Sequence, residues 1–313
     1  MVRIIVLTLV INILFMATVF AENPAAEKYR AMIRSGNYHI VYEVVAKYDI
    51  SKYDEKTVKS IKRMEEYKEK HMPKDYTEID AFNGNTMIWG SYAKGGNGSN
   101  KIEYAKALHK DGKYYSFESN KKAYVITEDE YKDYQKNAAT GLTNPKASMY
   151  IATRTTATHE INGYLGKLMI FTDPIPREEL DARLMRGEEI PNDAYMRNDI
   201  KYKESSIETI DGVAYDVDTY EEKHTGVLTS GGGLEGLVPQ DLCYYTRVYY
   251  KDGNIYKIVD DQGNGMVFDT FFKEFTADVP ADRLNVPQGC KVYKVSFGDL
   301  NSLTGKDVLA EEY

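Results

Sequence analysis

Basic charge is in short supply: 40 Lys and Arg stand against 48 Asp and Glu, a formal net charge of −8 over 313 residues. Affinity for nucleic acid comes mainly from neutralised phosphates, so this chain is a poor candidate for that role. Cysteine is scarcer, with Cys243 and Cys290 alone and no C-x-x-C, which argues against a thiol oxidoreductase. The five histidines, His39, His71, His109, His159 and His224, are isolated in sequence. His159-Glu160 begins like a zinc-protease signature, but Gly163 follows and no histidine recurs at helical spacing. Neither a G-x-S-x-G elbow nor a G-x-x-x-x-G-K-[ST] loop is present. Gly231 to Gly236 matches the dinucleotide-binding spacing, yet Pro239 prevents the helix that would face a pyrophosphate, so the segment reads as a flexible connection. No cofactor is implied, and no convergent acid, base, nucleophile or metal set marks an enzyme.

What is present begins at the N-terminus. Arg3 precedes an apolar run from Ile4 to Phe20 that closes on Val19-Phe20-Ala21, the pattern of a signal peptide over residues 1–21. Cleavage after Ala21 is the simple reading, and retention as a membrane anchor is the alternative. Thr8, Asn12 and Thr18 lower the hydrophobicity of the run, and no cysteine follows it to carry a lipid. No later stretch is apolar enough to span a bilayer, so a cleaved chain has no stable membrane insertion. The expected location is periplasmic or extracellular. Secreted proteins seldom keep free thiols, which makes Cys243 and Cys290 a candidate disulfide, against two thiols that never meet.

The rest reads as one β-rich domain over residues 22–313. Asn23-Pro24 starts a short helix and Gly36 stops it. From Tyr38 to Ile50 alternate residues are apolar, including Tyr38, Ile40, Tyr42 and Val44, which predicts a strand long enough to require coiling. Residues 52–72 carry Val58, Ile61, Met64 and Tyr67 at helical spacing among mixed charges. This predicts a helix over one sheet face, with a lid or surface-seeking helix as the alternative. Three segments fit D-G-x-x-Y-x-[FVI], at Asp111, Asp211 and Asp252. Asp-Gly supplies the positive φ angles of a tight hairpin turn, so each predicts a hairpin.

Residues 128–200 read as a long, partly helical insertion with a strand near Tyr164 to Phe171. A meander follows Leu242, and a last strand is expected near Lys291 to Phe297. The fold class is mainly β (α+β), a curved antiparallel sheet or half-barrel with helices over its concave face. Asp216 and Asp218 share a strand face and could serve as calcium ligands or an acid and base pair. The alternative places them on the solvated side of a hairpin.

The short helix ending in Ser35-Gly36-Asn37-Tyr38, the segment Asp111 to Phe117 followed by Lys121 to Ile126, the hairpins at Ile210 to Val217 and Tyr250 to Ile255, and Phe271 to Phe275 leading into Val286 to Gly289 together resemble the lipoprotein-localisation-factor-like superfamily of exported bacterial proteins. That resemblance implies a half-open antiparallel sheet with helices over its concave side, and a carrier of lipoprotein acyl chains or other lipids. The helix at 52–72 and the region 128–200 depart from it, and no family ligand residue carries over by position.

The function expected is therefore an exported soluble binding protein for an apolar ligand such as a lipid or acyl chain. Alternation along the strands nominates Met87, Trp89, Tyr115, Phe117, Tyr124, Ile126, Tyr215 and Tyr256 as its lining. The alternative is a cell-envelope structural or protein-interaction module whose sheet is filled by the chain itself, with another envelope protein as partner.

Overall fold

The computed structural model describes residues 22–71, 74–94, 100–127, 129, 166–186, 194–230, 237–261, 263, 265–280, 282–294 and 311–312. The expected signal peptide, most of the insertion at 128–200 and the glycine run 231–236 lie outside the described residues. The fold is mostly β with a few helices, and its residues group into two compact units.

The first unit contains most of α1 (Pro24–Ser35), the second half of β1 (Tyr38–Tyr48), α2 (Glu55–His71), α3 (Arg177–Met185) and α4 (Ala194–Asp199). Its strands follow β1 in the order β11 (Met266–Thr276, whose last four residues belong to the second unit), β10 (Asn254–Asp261), β9 (Leu237–Lys251), β8 (Val213–Ser230) and β7 (Ile200–Ile210). The second unit contains the first half of β1, then β2 (Asp75–Phe82), β3 (Asn85–Lys94), β4 (Asn100–Lys110), β5 (Lys113–Ser119), β6 (Lys122–Thr127), β12 (Lys291–Lys294) and β13 (Glu311–Glu312) in that spatial order.

The turns account for much of this order. Asp111, Asp211 and Asp252 have φ near 50°, and the glycine after each is also positive. These are two-residue hairpins, with Lys110 opposite Lys113, Ile210 opposite Val213 and Lys251 opposite Asn254. Asn83-Gly84 makes a fourth turn of the same kind between β2 and β3, which the D-G pattern missed. At the N-terminus, the Asn23 side chain accepts from the Ala25 amide, and Gly36 at φ 66° ends α1 as expected.

Several expectations need correction. The strand placed at Tyr164 to Phe171 is a 3-10 helix over Gly166–Phe171, because a short apolar run has no periodicity to separate helix from strand. The sheet is not wholly antiparallel, since β12 lies parallel to β6 with Val292 opposite Ala123. A distant segment can pair in either direction because no tight turn dictates one. On β1 the buried alternation holds for Tyr38, Ile40 and Tyr42 but fails at Val44, which is 41% exposed. The helix expected from 52 begins at Glu55, after a 3-10 turn over Ile50–Lys52. Cys243 and Cys290 form no bridge. The Cys243 thiol lies 3.4 Å from Glu221 Oε1, and Cys290 Sγ rests against the Lys291 carbonyl.

Candidate functional site

Cross-strand register decides which nominated residues meet. In the second unit Met87 faces Leu108, Leu108 faces Tyr115, and Tyr115 faces Val125. Side chains directly opposite share a sheet face, so Met87, Trp89, Tyr115 and Phe117 gather with Ala105, Leu108 and Val125. Tyr124 and Ile126 sit one residue out of step and point to the other face, where the Tyr124 ring lies 6.2 Å from that of Tyr293. Tyr215 and Tyr256 belong to the first unit, stacked at 4.8 Å beside Tyr249 and Val259.

The Trp89 face is covered by the chain itself. Val279, Leu284 and Val286 pack onto it from the irregular segment before β12. Arg283 fastens that segment. Its guanidinium lies 4.8 Å from the Trp89 ring, while its backbone carbonyl accepts from Trp89 Nε1 at 3.3 Å. The guanidinium also reaches Glu78, Asp80 at 3.3 Å and Glu103 at 2.9 Å.

Glu78 and Asp80 are buried on the same strand, and further donors surround them. Lys101 pairs with Glu78 and Glu103, Ser91 donates to Glu78, and His39 Nδ1 lies 2.6 Å from Asp80 Oδ1. His39 Nε2 is 3.5 Å from Glu274. In the sequence this histidine and these acids look scattered because they lie on four separated segments. The one local signal was Thr77-Glu78-Ile79-Asp80-Ala81, a strand buried on both faces with acids on one of them.

The hydrogen bond to Asp80 raises the His39 pKa above its ordinary 6.5, against burial and with help from Glu274 and Glu78. A raised folded value means that His39 contributes stability fully below about pH 6.5 and loses it as pH rises through the folded value. Denaturant titrations at several pH values should therefore show stability falling upward through this window, and His39→Gln should flatten that slope. An unchanged slope in the variant would assign the pH dependence elsewhere.

An open concavity of about 680 Å³ lies where β5 parts from β4. The β4–β5 ladder stops at Ala107 and Ser116. Beyond it Asn120, in the β5–β6 turn, reaches back to the β4 backbone, accepting from the Ala105 amide and donating to the Glu103 carbonyl. Tyr92, Ile102, Tyr104 and Phe117 supply its apolar lining, and Glu103, Lys106, Glu118 and Lys121 its charged lining. Gly90 lets Tyr104 lie flat there, because a Cβ at Gly90 would fall 2.3 Å from the Tyr104 ring. Phe117 alone among the eight nominated residues lines this concavity.

In the first unit Asp218 is fully buried rather than solvated, whereas Asp216 is exposed. The hairpin reading thus fails for Asp218, because α1 covers that face and supplies the Asn23 amide as a donor. On the opposite face Asp269, 2% exposed, binds Lys47 at 2.7 Å and Lys257 at 3.1 Å, and Lys257 lies 4.8 Å above the Tyr249 ring. Among the described residues no group of three or more His, Cys, Asp and Glu is placed to hold a metal.

No family model matches the sequence, and no curated protein matches it. Among solved structures, a DUF1329 family protein from Desulfovibrio piger aligns over 83% of this chain and 94% of its own, at 8% identity and a TM-score of 0.20. A likeness at that score carries no argument for fold or function. No helix among the described residues is long and apolar enough to cross a membrane.

Proposed function

We propose that this chain is an exported, non-catalytic binding protein for an amphipathic ligand with an acyl-like apolar part. The observation that carries this reading is the concavity between β4 and β5, whose volume falls in the range of small-molecule sites and whose lining joins aromatic surface to lysines. Its apolar part would rest on Tyr92, Ile102, Tyr104 and Phe117, and an anionic head would meet Lys106 or Lys121. The ionisable groups of the Trp89 face support a holding role rather than catalysis, since each carboxylate there is already paired. Export is supported by the apolar leader ending at Ala21.

A second reading, an envelope interaction module, is favoured by one observation. The apolar face bearing Met87, Trp89 and Tyr115 is occupied by the chain's own residues 279–286, while Tyr67 on α2 is 60% exposed. Native mass spectrometry of the protein purified from its own envelope, with lipid analysis of the organic extract, separates the two. A stoichiometric acyl species, lost at least tenfold in Tyr104→Glu, supports the carrier. A clean mass together with no binding of a fluorescent fatty acid overturns it and leaves the interaction module.

A further inference from the structure

The chain enters the first unit through buried polar groups. Glu22 takes both terminal guanidinium nitrogens of Arg30 and the Tyr220 hydroxyl. The Asn23 amide donates to Asp218 Oδ2 at 2.9 Å, and Ser205 donates to Asp218 Oδ1 while contacting the Tyr202 hydroxyl. Beside them Tyr250 is 0% exposed, and among the described residues its hydroxyl has no hydrogen-bond partner. A fully buried hydroxyl without a partner is costly, and native structures seldom leave one unexplained.

The charges are also uneven. Glu22 is paired with Arg30, the Arg197 guanidinium is spent on the Thr172 and Ile200 carbonyls, and among the described residues no cation forms an ion pair with Asp218. Burial raises the Asp218 pKa, with Ser205 and the Asn23 amide offsetting part of the cost, as expected of a carboxylate short of a cation.

We propose that removal of residues 1–21 completes this site, the new α-ammonium of Glu22 docking against Asp218 and the Tyr250 hydroxyl. The proposal rests on the export reading above. Hydrolysis breaks the bond between the Ala21 carbonyl carbon and the Glu22 nitrogen. Water gives its hydroxyl to Ala21 and a proton to the nitrogen, and the proton released by the new carboxyl balances the one that makes the amine an ammonium. Successive backbone nitrogens lie about 3–3.6 Å apart, so this ammonium is one residue from a nitrogen already bonded to Asp218. The positive end of α1 opposes a cation, but the Asp218 and Glu22 carboxylates flank it more closely. Processing thus supplies the cation that Asp218 lacks in the unprocessed precursor.

The experiment compares the full mature chain beginning at Glu22 with the same chain extended by Gly-Ser, each also as Asp218→Asn and Tyr250→Phe. The mature chain should melt about 3–6 °C above the extended one at pH 7. An amine gaining an anionic partner titrates above its usual 7.7–8.0, so the gap should close as pH rises through that folded value. Asp218→Asn should erase the gap. If that variant does not fold, Tyr250→Phe should lower the melting temperature of the mature chain alone. Equal melting temperatures, with a Glu22 amine titrating at its ordinary value in the NMR spectrum, overturn the proposal. So does an exported chain whose mass begins elsewhere than Glu22, which leaves the ligand reading untouched. A docked ammonium in a protein that binds no acyl probe sinks the ligand reading alone.

Discussion

Arg283→Met is expected to destabilise the second unit by about 3–5 kcal/mol, because it leaves Glu78 and Asp80 buried with one fewer cation while keeping most of the apolar stem. The loss has two sources. Carboxylates at 0–3% side-chain exposure cannot recover hydration, and the segment carrying Leu284 loses its fastening to Trp89. Arg283→Lys should recover only part of the loss, since an ammonium cannot reach three carboxylates from one planar fork. Urea unfolding followed through Trp89, the sole tryptophan, reads this directly, because Arg283 lies against that ring. A loss below about 1 kcal/mol would class the network with exposed ion pairs.

Asp269→Leu should cost the first unit a comparable amount, about 3 kcal/mol or more. Lys257 is 8% exposed and would be left charged over the Tyr249 and Phe271 rings with no carboxylate. Lys47 can turn to solvent at little cost, being 58% exposed. The double variant Asp269→Leu with Lys257→Met should therefore regain most of the stability, since replacing both partners by apolar groups of similar size removes the uncompensated charge. Parallel denaturant curves for the single and double variants check this. A double variant no better than the single one would place the loss in packing instead.

The parts of this fold legible in the sequence are those that neighbouring residues decide. Asp-Gly pairs placed three hairpins because two successive positive φ angles admit few residues, and Asn83-Gly84 obeyed the same rule unnoticed. Alternation correctly put Met87, Trp89, Tyr115 and Phe117 on one face. It could not tell that Tyr124 belongs to the other, because register across strands is set by turn length and by the bulge between Phe117 and Ser119. The charged network was invisible for a related reason. It joins residues 39, 78, 80, 101, 103, 274 and 283, and no spacing rule links them. Asp218 misled for want of its cover, since the side of a hairpin that looks solvated is buried once α1 lies across it.

The segment that seals the Trp89 face also sets the timing of folding. Residues 279–286 are made more than 160 positions after Tyr115, and β12 joins β6 only when Lys291 to Lys294 exist. At about 5–20 residues per second, the ribosome leaves Met87, Trp89 and Tyr115 without their cover for roughly ten to thirty seconds. The hairpins at Asn83 and Asp111 can close early through local turns, whereas the apolar face they build must wait for residues 279–286. A chain truncated before Val279 is therefore expected to be aggregation-prone, because Met87, Trp89 and Tyr115 then keep their apolar face uncovered.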